Sequence, residues 1–186
     1  MQIKELKIPG SFLIQCDPKT DDRGFFMRVY DQELFETHGI HREWLQENHA
    51  KTLRENTLRG LHLQMPPHAE SKLVRCLRGS MLDVFVDVRE GSPTFGQWDA
   101  IRLSAEEKNM VFVPGGCAHG YLSLAEDVEV SYKVDATYHP ECERAIYWND
   151  ADLAIDWGVK YPLVSEKDQN ASSFKEFVTS TQPLRV

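Results

Sequence analysis

No apolar run in the sequence approaches the ~18 residues that a membrane-spanning helix needs. The opening stretch MQIKELKIPG also lacks the apolar core of a signal peptide, so a cytoplasmic protein without a membrane partner is expected. Cysteine is scarce and scattered. Cys16, Cys76, Cys117 and Cys142 contain no C-x-x-C pair, which argues against a zinc cage or a disulfide frame and reads as reduced thiols. Excess positive charge is lacking too. With 21 Lys and Arg against 29 Asp and Glu the net charge is −8, which argues against a nucleic-acid partner that would need a basic face. Low-complexity tracts, internal repeats and long linkers are absent. The 186 residues therefore read as one domain, 1–186, large enough for a substantial core.

Helical periodicity is missing from the middle hundred residues. In its place, short apolar or alternating segments recur every eight to twelve residues between Gly, Pro and Asp/Asn turns, the pattern of an all-β sandwich or barrel. The expected strands are 12–14, 25–30 (after a turn at Asp21-Asp22-Arg23-Gly24), 44–48, 58–64, 72–77, 81–88, 95–103, 110–113, 120–124 and Val128–Val134. Arg78-Gly79-Ser80 looks like a hairpin turn between the fifth and sixth of these. A short helix is expected over 32–37, closed by His38-Gly39. From Pro140 onward the chain is less regular. It is expected to lie as loops and short helices over one end of the barrel, with a last helical turn at 174–177 before a loose tail.

The segment from Leu58 to Lys72 carries the first chemistry. Leu58, Gly60, His62 and Gln64 have one strand parity and Arg59, Leu61 and Leu63 the other, before Pro66-Pro67 breaks the ladder. Arg59, His62 and Lys72 supply a fixed cation, an imidazole and an amine, which suits binding an anion and moving a proton beside it. Charge placement agrees: residues 23–78 hold nine Lys/Arg against seven Asp/Glu inside an acidic protein. Taken alone, a strand histidine is more often a hydrogen-bonded structural group than a base. Tyr132 shares its parity with Val128, Val130 and Val134 and should point into the barrel, where a core tyrosine would also point.

Pro114-Gly115-Gly116-Cys117-Ala118-His119 fits P-x-G-x-x-H and resembles the second motif of the cupin superfamily, a tight turn that presents a histidine to the mouth of a small barrel. In metal cupins an H-x-H pair and a glutamate complete the ligand set. Here that region reads His62-Leu63-Gln64, so two isolated histidines remain and no metal is expected.

The resemblance then becomes closer. Asp22-Arg23-Gly24, Gln46-Glu47-Asn48-His49, Arg59-Gly60-Leu61-His62, Lys72-Leu73-Val74, the run from Asp83 to Arg89, Gly91 to Gly96, Tyr132-Lys133, Trp148-Asn149-Asp150 and Ser165-Glu166-Lys167-Asp168 appear in order. Together they resemble the dTDP-4-dehydrorhamnose 3,5-epimerase family. That resemblance implies a cofactor-free and metal-free enzyme on a double-stranded β-helix, the cupin or jelly-roll barrel, and a homodimer. Its substrate would be a nucleoside-diphosphate 4-keto-6-deoxyhexose, whose C4 carbonyl acidifies the hydrogens on C3 and C5. By resemblance His62 is the base, Asp168 holds it, Lys72 stabilises charge on the C4 oxygen with help from His119, and Tyr132 is the acid on the far face. Arg23, Arg28, Gln46, Asn48, Arg59, His119, Glu143 and Lys167 would bind the substrate, the arginines gripping diphosphate.

Arg59 and His62 have opposite parity, so either a bulge at Gly60 re-aims one of them or Arg59 serves another face or a neighbouring subunit. Two positions depart from the family. Arg28 stands where a glutamate is usual, and Ala50 where a serine is common. Both bear on the nucleotide side. The rivals are a single-centre epimerase acting on a differently based (for example CDP-linked) nucleotide sugar, a non-catalytic sugar-binding cupin, and a metal-dependent oxygenase.

Overall fold

Two antiparallel sheets face each other around the core. The structure is a computed structural model that describes residues 1–181 and Leu184. The first sheet runs β1 (Gln2–Glu5), β2 (Phe12–Gln15), β10 (Asn109–Val113), β7 (Lys72–Arg78), β12 (Val128–Val134) and β5 (Gln46–Thr52). The second runs β13 (Glu143–Ala145), β6 (Thr57–Gln64), β11 (Cys117–Ser123), β8 (Ser80–Asp87) and β9 (Trp98–Ser104), with β14 (Leu163–Val164) parallel to β6. A separate hairpin joins β3 (Lys19–Asp21) to β4 (Gly24–Phe26). Three short helices complete the described residues: α1 (Gln32–Glu36), α2 (Glu166–Gln169) and α3 (Phe174–Ser180). This is the expected all-β double-stranded β-helix of the cupin type. Among the described residues no helix is long and apolar enough to cross a membrane.

Strand alternation divides the apolar side chains between three clusters. Val74, Met81, Phe85, Leu103, Val111 and Val130 fill the space between the sheets. From the same strand β8, Val84 and Val86 turn the other way, onto an outer cluster with Trp148, Leu153, Ile155 and Trp157. A third cluster lies on the outside of the first sheet, where Phe35 of α1 packs with Ile14, Leu73, Met110 and Phe112. Each fully buried Phe, Leu, Ile, Met or Val contributes roughly 1.5–3 kcal/mol, so burying both faces of the central strands is what holds the barrel closed. The four cysteines are unpaired, as expected.

Several boundaries differ from the sequence expectation. Arg78-Gly79-Ser80 is a corner and not a hairpin: β7 bonds to β10 and β12, while β8 bonds to β11 and β9 in the other sheet. Both strands have two buried faces, so apolar content cannot distinguish a hairpin from a crossing. The strand expected at 44–48 becomes Gln46–Thr52, because Trp44 leaves the ladder to pack edge-on against Tyr30 and Phe112. The strand at 25–30 stops at Phe26, and Met27, Val29 and Tyr30 pack on the third cluster instead. β9 starts at Trp98 because the Gly96 N–H is tied back to the Asp87 carbonyl in a turn. The strand at 120–124 begins at Cys117, so His119 lies within β11 and not on a turn. The C-terminal third covers the outer face of the second sheet and not an end, and α3 extends to Ser180. Residues 182, 183, 185 and 186 of the expected tail lie outside the described residues.

The difference that matters most for the site is on β6. Its pairing with β11 joins His62 to His119 but Arg59 to Tyr121, so three residues of β6 span two of β11. That is a β-bulge, and it lies at Gly60-Leu61, joined by a cis peptide. Regular alternation is broken there: Leu58 and Leu61, three apart, share the outer cluster. Only glycine fits the bulge. Gly60 has φ +127°, and a Cβ on it would sit 2.5 Å from the Gly120 Cα and 2.9 Å from the His119 carbonyl oxygen.

Candidate active site

The bulge turns both Arg59 and His62 toward the space between the sheets. There a cavity of about 490 Å³ is lined by Arg59, His62, Lys72, His119, Tyr132, Lys167 and Asp168, among others. A smaller one of about 180 Å³ shares His62, Lys72 and Tyr132 with it and adds Gln46, Asn48 and Glu143. Ten of the twelve residues singled out in the sequence therefore line one continuous region. Of the two alternatives for Arg59, the bulge is the one observed.

His62 comes from β6 and Asp168 from α2. Asp168 sits in the short helix that Ser165 caps, where its N–H donates to Ser165 Oγ at 3.2 Å. Its Oδ1 lies 2.6 Å from His62 Nε2, and its Oδ2 accepts the Gly60 N–H at 3.3 Å. Burial pushes the Asp168 carboxyl up, but the bond and charge of His62 and the Gly60 N–H outweigh it and hold the carboxyl below its usual range. An ionised carboxylate only accepts, so it keeps the proton on Nε2 and leaves the Nδ1 lone pair as the basic position.

Lys72 opens β7 and is 7% exposed, with its Nζ 3.0 Å from Glu70 Oε1. A buried ammonium needs such a partner. Tyr132 lies on β12, in the sheet opposite His62. Burial, then the charge of Glu70 and Tyr121, raise its phenol above the ordinary value, with Arg59 opposing. It is therefore protonated throughout the neutral range. His119 Nε2 bonds to Asp83 Oδ2 at 2.9 Å, while Asp83 is fully buried and its Oδ1 has no partner among the described residues.

The substrate-binding candidates divide. Arg59 donates through Nε to Thr52 Oγ1 at 3.2 Å and through Nη2 to the Lys51 carbonyl at 3.2 Å, with Thr52 in turn bonded to the Tyr121 hydroxyl at 2.8 Å. Lys167 Nζ and the Tyr138 hydroxyl both reach Glu143 Oε2, at 2.7 and 3.1 Å. Gln46 accepts the Tyr138 N–H at 2.7 Å. Arg23 and Arg28 line neither cavity. Arg23 is exposed on the β3–β4 turn and pairs with Asp21, and Arg28 pairs with Asp31 at 2.6 Å.

Sequence reasoning missed Gln64, Glu70 and Asp83. An aspartate immediately before the Val84-Phe85-Val86 run, in the middle of β8, was the available signal for Asp83. Among the described residues no group of three or more His, Cys, Asp or Glu is arranged to hold a metal ion, and both cavity histidines already bond a carboxylate.

A model of the dTDP-4-dehydrorhamnose 3,5-epimerase family matches residues 5–176. A protein of that name from Pseudomonas aeruginosa is 45% identical over 178 residues, covering 95% of this chain and 97% of its own. The structure of dTDP-6-deoxy-D-glucose-3,5-epimerase from Legionella pneumophila, in complex with dTDP-4-keto-L-rhamnose, is similar with a TM-score of 0.92. It is 36% identical, and the match covers all of this chain and 98% of that one. A 3'-monoepimerase from Streptomyces bikiniensis in complex with dTDP-quinovose matches with a TM-score of 0.88 and 32% identity, over 96% of this chain and 91% of that one.

Proposed function

The chain belongs to the dTDP-4-dehydrorhamnose 3,5-epimerase family, and from that premise we propose which of its residues carry the reaction. The protein is an isomerase, an epimerase of nucleoside-diphosphate 4-keto-6-deoxyhexoses. One observation carries the assignment of roles. His62 stands on a strand of one sheet, and Tyr132 and Lys72 stand on strands of the other, so a sugar ring lying between the sheets has a base on one face and a phenol on the other.

Inversion needs that arrangement. His62 takes the proton from the carbon beside the C4 carbonyl, and the C–H electron pair moves into the enolate. Lys72 stabilises the negative charge that grows on the C4 oxygen. Tyr132 then gives its phenol proton to the opposite face of the same carbon. His62 is left protonated and Tyr132 ionised, and solvent resets both. Asp168 keeps His62 oriented and offsets its positive charge after proton transfer. Arg59, Lys167, Gln46, Asn48, Glu143 and His119 hold the nucleotide diphosphate and the sugar. The favoured substrate is dTDP-linked, with both C3 and C5 inverted. The likeness to a 3'-monoepimerase supports inversion at a single centre as the second reading.

We also propose a homodimer. Among the described residues β5 bonds on one side only, to β12, and the β3–β4 hairpin exposes Phe25 and Phe26 at 57% and 73%. Sedimentation at micromolar concentration should show the dimer mass.

Incubation with dTDP-4-keto-6-deoxyglucose in D₂O tests the reaction. Deuterium at both C3 and C5 of an inverted product is expected. Label at one carbon alone selects the second reading, and no exchange at either carbon rejects the assignment.

A further inference from the structure

Gln64 is a buried amide at 3% exposure, two residues beyond His62 on β6 and at the wall of the smaller cavity. All of its hydrogen-bonding groups are engaged. Nε2 lies 3.2 Å from the His68 carbonyl, 3.0 Å from Glu70 Oε2 and 3.1 Å from the Thr137 carbonyl, and Oε1 accepts the His139 N–H at 2.6 Å. The other oxygen of Glu70 is the one that pairs with Lys72 Nζ at 3.0 Å. An unbroken chain of contacts thus runs from the Gln64 amide through the Glu70 carboxylate to the Lys72 ammonium.

We propose that Gln64 is a positioning residue for the epimerisation, fixing the Lys72 ammonium through Glu70; this rests on the role given to Lys72 above. Lysine has a flexible four-carbon stem and a point charge, so its value to a growing enolate depends on where that charge is held beforehand. Glu70 can hold it only if its own carboxylate is held. Glu70 lies outside the strands, in the segment between β6 and β7 that contains Pro66-Pro67, so no ladder fixes it. The Gln64 Nε2 does so from a strand whose backbone is paired on both sides. Because the same amide also ties 137–139 to β6, a purely structural role is the rival, and the test must separate the two.

Gln64→Leu, Glu70→Ala and Lys72→Met are measured singly and as the pairs with Lys72→Met, by kcat, KM, solvent-deuterium exchange and thermal melting. Gln64→Leu and Glu70→Ala should each lower kcat and the exchange rate by ~10- to 100-fold, the usual cost of losing the support behind a working group, with KM within a few-fold. In the Lys72→Met background neither should cost more than about 2-fold, because the group they act through is gone. Equal losses with and without Lys72, or a loss confined to KM, would overturn the positioning role. Full kcat in Lys72→Met would instead remove the reading of Lys72, and the proposal with it. If Gln64→Leu melts below the assay temperature, Glu70→Ala, which breaks the same chain outside the strands, decides by the same criteria.

Discussion

His62 and Asp168 are separated by 106 residues of chain, yet their side chains meet at 2.6 Å, and the same carboxylate also accepts the Gly60 N–H of the bulge that aims His62 inward. One carboxylate therefore fixes both the imidazole and the backbone that presents it. Asp168→Asn keeps the shape but supplies an amide that cannot hold the Nε2–H tautomer as a charged acceptor. We expect kcat to fall by at least ~10²-fold with KM little changed. The Asp168 carboxyl is depressed below 3.8 in the folded protein, so its stabilising contribution is present above that value and lost as pH falls through the folded value. Urea titrations of the two proteins should differ at pH 7 and converge as the pH is lowered through that folded value. Wild-type turnover by Asp168→Asn would show that the pair is structural only.

Asp87 offers a stability prediction away from the catalytic groups. It is fully buried, with Oδ2 2.7 Å from Arg89 Nη2, 2.5 Å from Ser92 Oγ and 2.6 Å from Thr94 Oγ1. Burial pushes its carboxyl up, but these bonds dominate and bring it to about 2 from 3.8. A depressed carboxyl stabilises the fold above the unfolded value and loses that contribution as pH falls from about 4 to about 2. Asp87→Asn should therefore cost ~2 kcal/mol at pH 7 and almost nothing near pH 2. Denaturant titrations at the two pH values measure this. A pH-independent difference would mean that packing, not charge, sets the cost.

How much of this was legible beforehand depends on whether alternation was intact. Val128–Val134 was readable to the residue because polar and apolar positions strictly alternate there, and that alone aimed Tyr132 inward. On β6 the same rule failed at Gly60, where an extra residue re-phases everything before it. A glycine inside a strand was the visible warning, and the direction of the shift was not visible. The Arg78-Gly79-Ser80 corner was misread because glycine marks a reversal equally well whether the next strand pairs or crosses to the other sheet. Gln64 and Glu70 escaped notice because Gln64 acts through side-chain contacts with the β6–β7 and β12–β13 connections, and Glu70 through Gln64 and Lys72, none of which strand alternation encodes.

Arg23 is a further position to vary, because resemblance assigns it to the nucleotide while its own chain leaves it exposed on the β3–β4 turn. If the proposed homodimer seats that hairpin against its partner, Arg23 serves the partner's cavity. Arg23→Ala and His62→Ala would then each be impaired alone. Unfolded together and refolded as a mixture, they should regain about a quarter of wild-type activity, since about half of the dimers are mixed and each holds one intact site. No recovery beyond the sum of the two variants would place Arg23 outside the partner's site.

The two proton-transfer roles can be separated by what each variant still does. His62→Ala removes the base, so no enolate forms, and both solvent exchange and epimerisation should fall by ~10²- to 10⁴-fold. Tyr132→Phe keeps the ring against its β12 neighbours and deletes only the donor. The enolate then still forms, and protonated His62 returns a proton to the face from which it came. Deuterium from D₂O should enter C3 or C5 with little inversion of configuration. Misfolding cannot imitate this result, because it would suppress exchange and inversion together. The raised Tyr132 phenol adds a pH signature: any alkaline fall in rate that Tyr132→Phe abolishes should lie above the range of an ordinary phenol. If Tyr132→Phe inverts both centres at the wild-type rate, the proton on the far face comes from another group, and the placement of base and acid on opposite sheets loses its meaning.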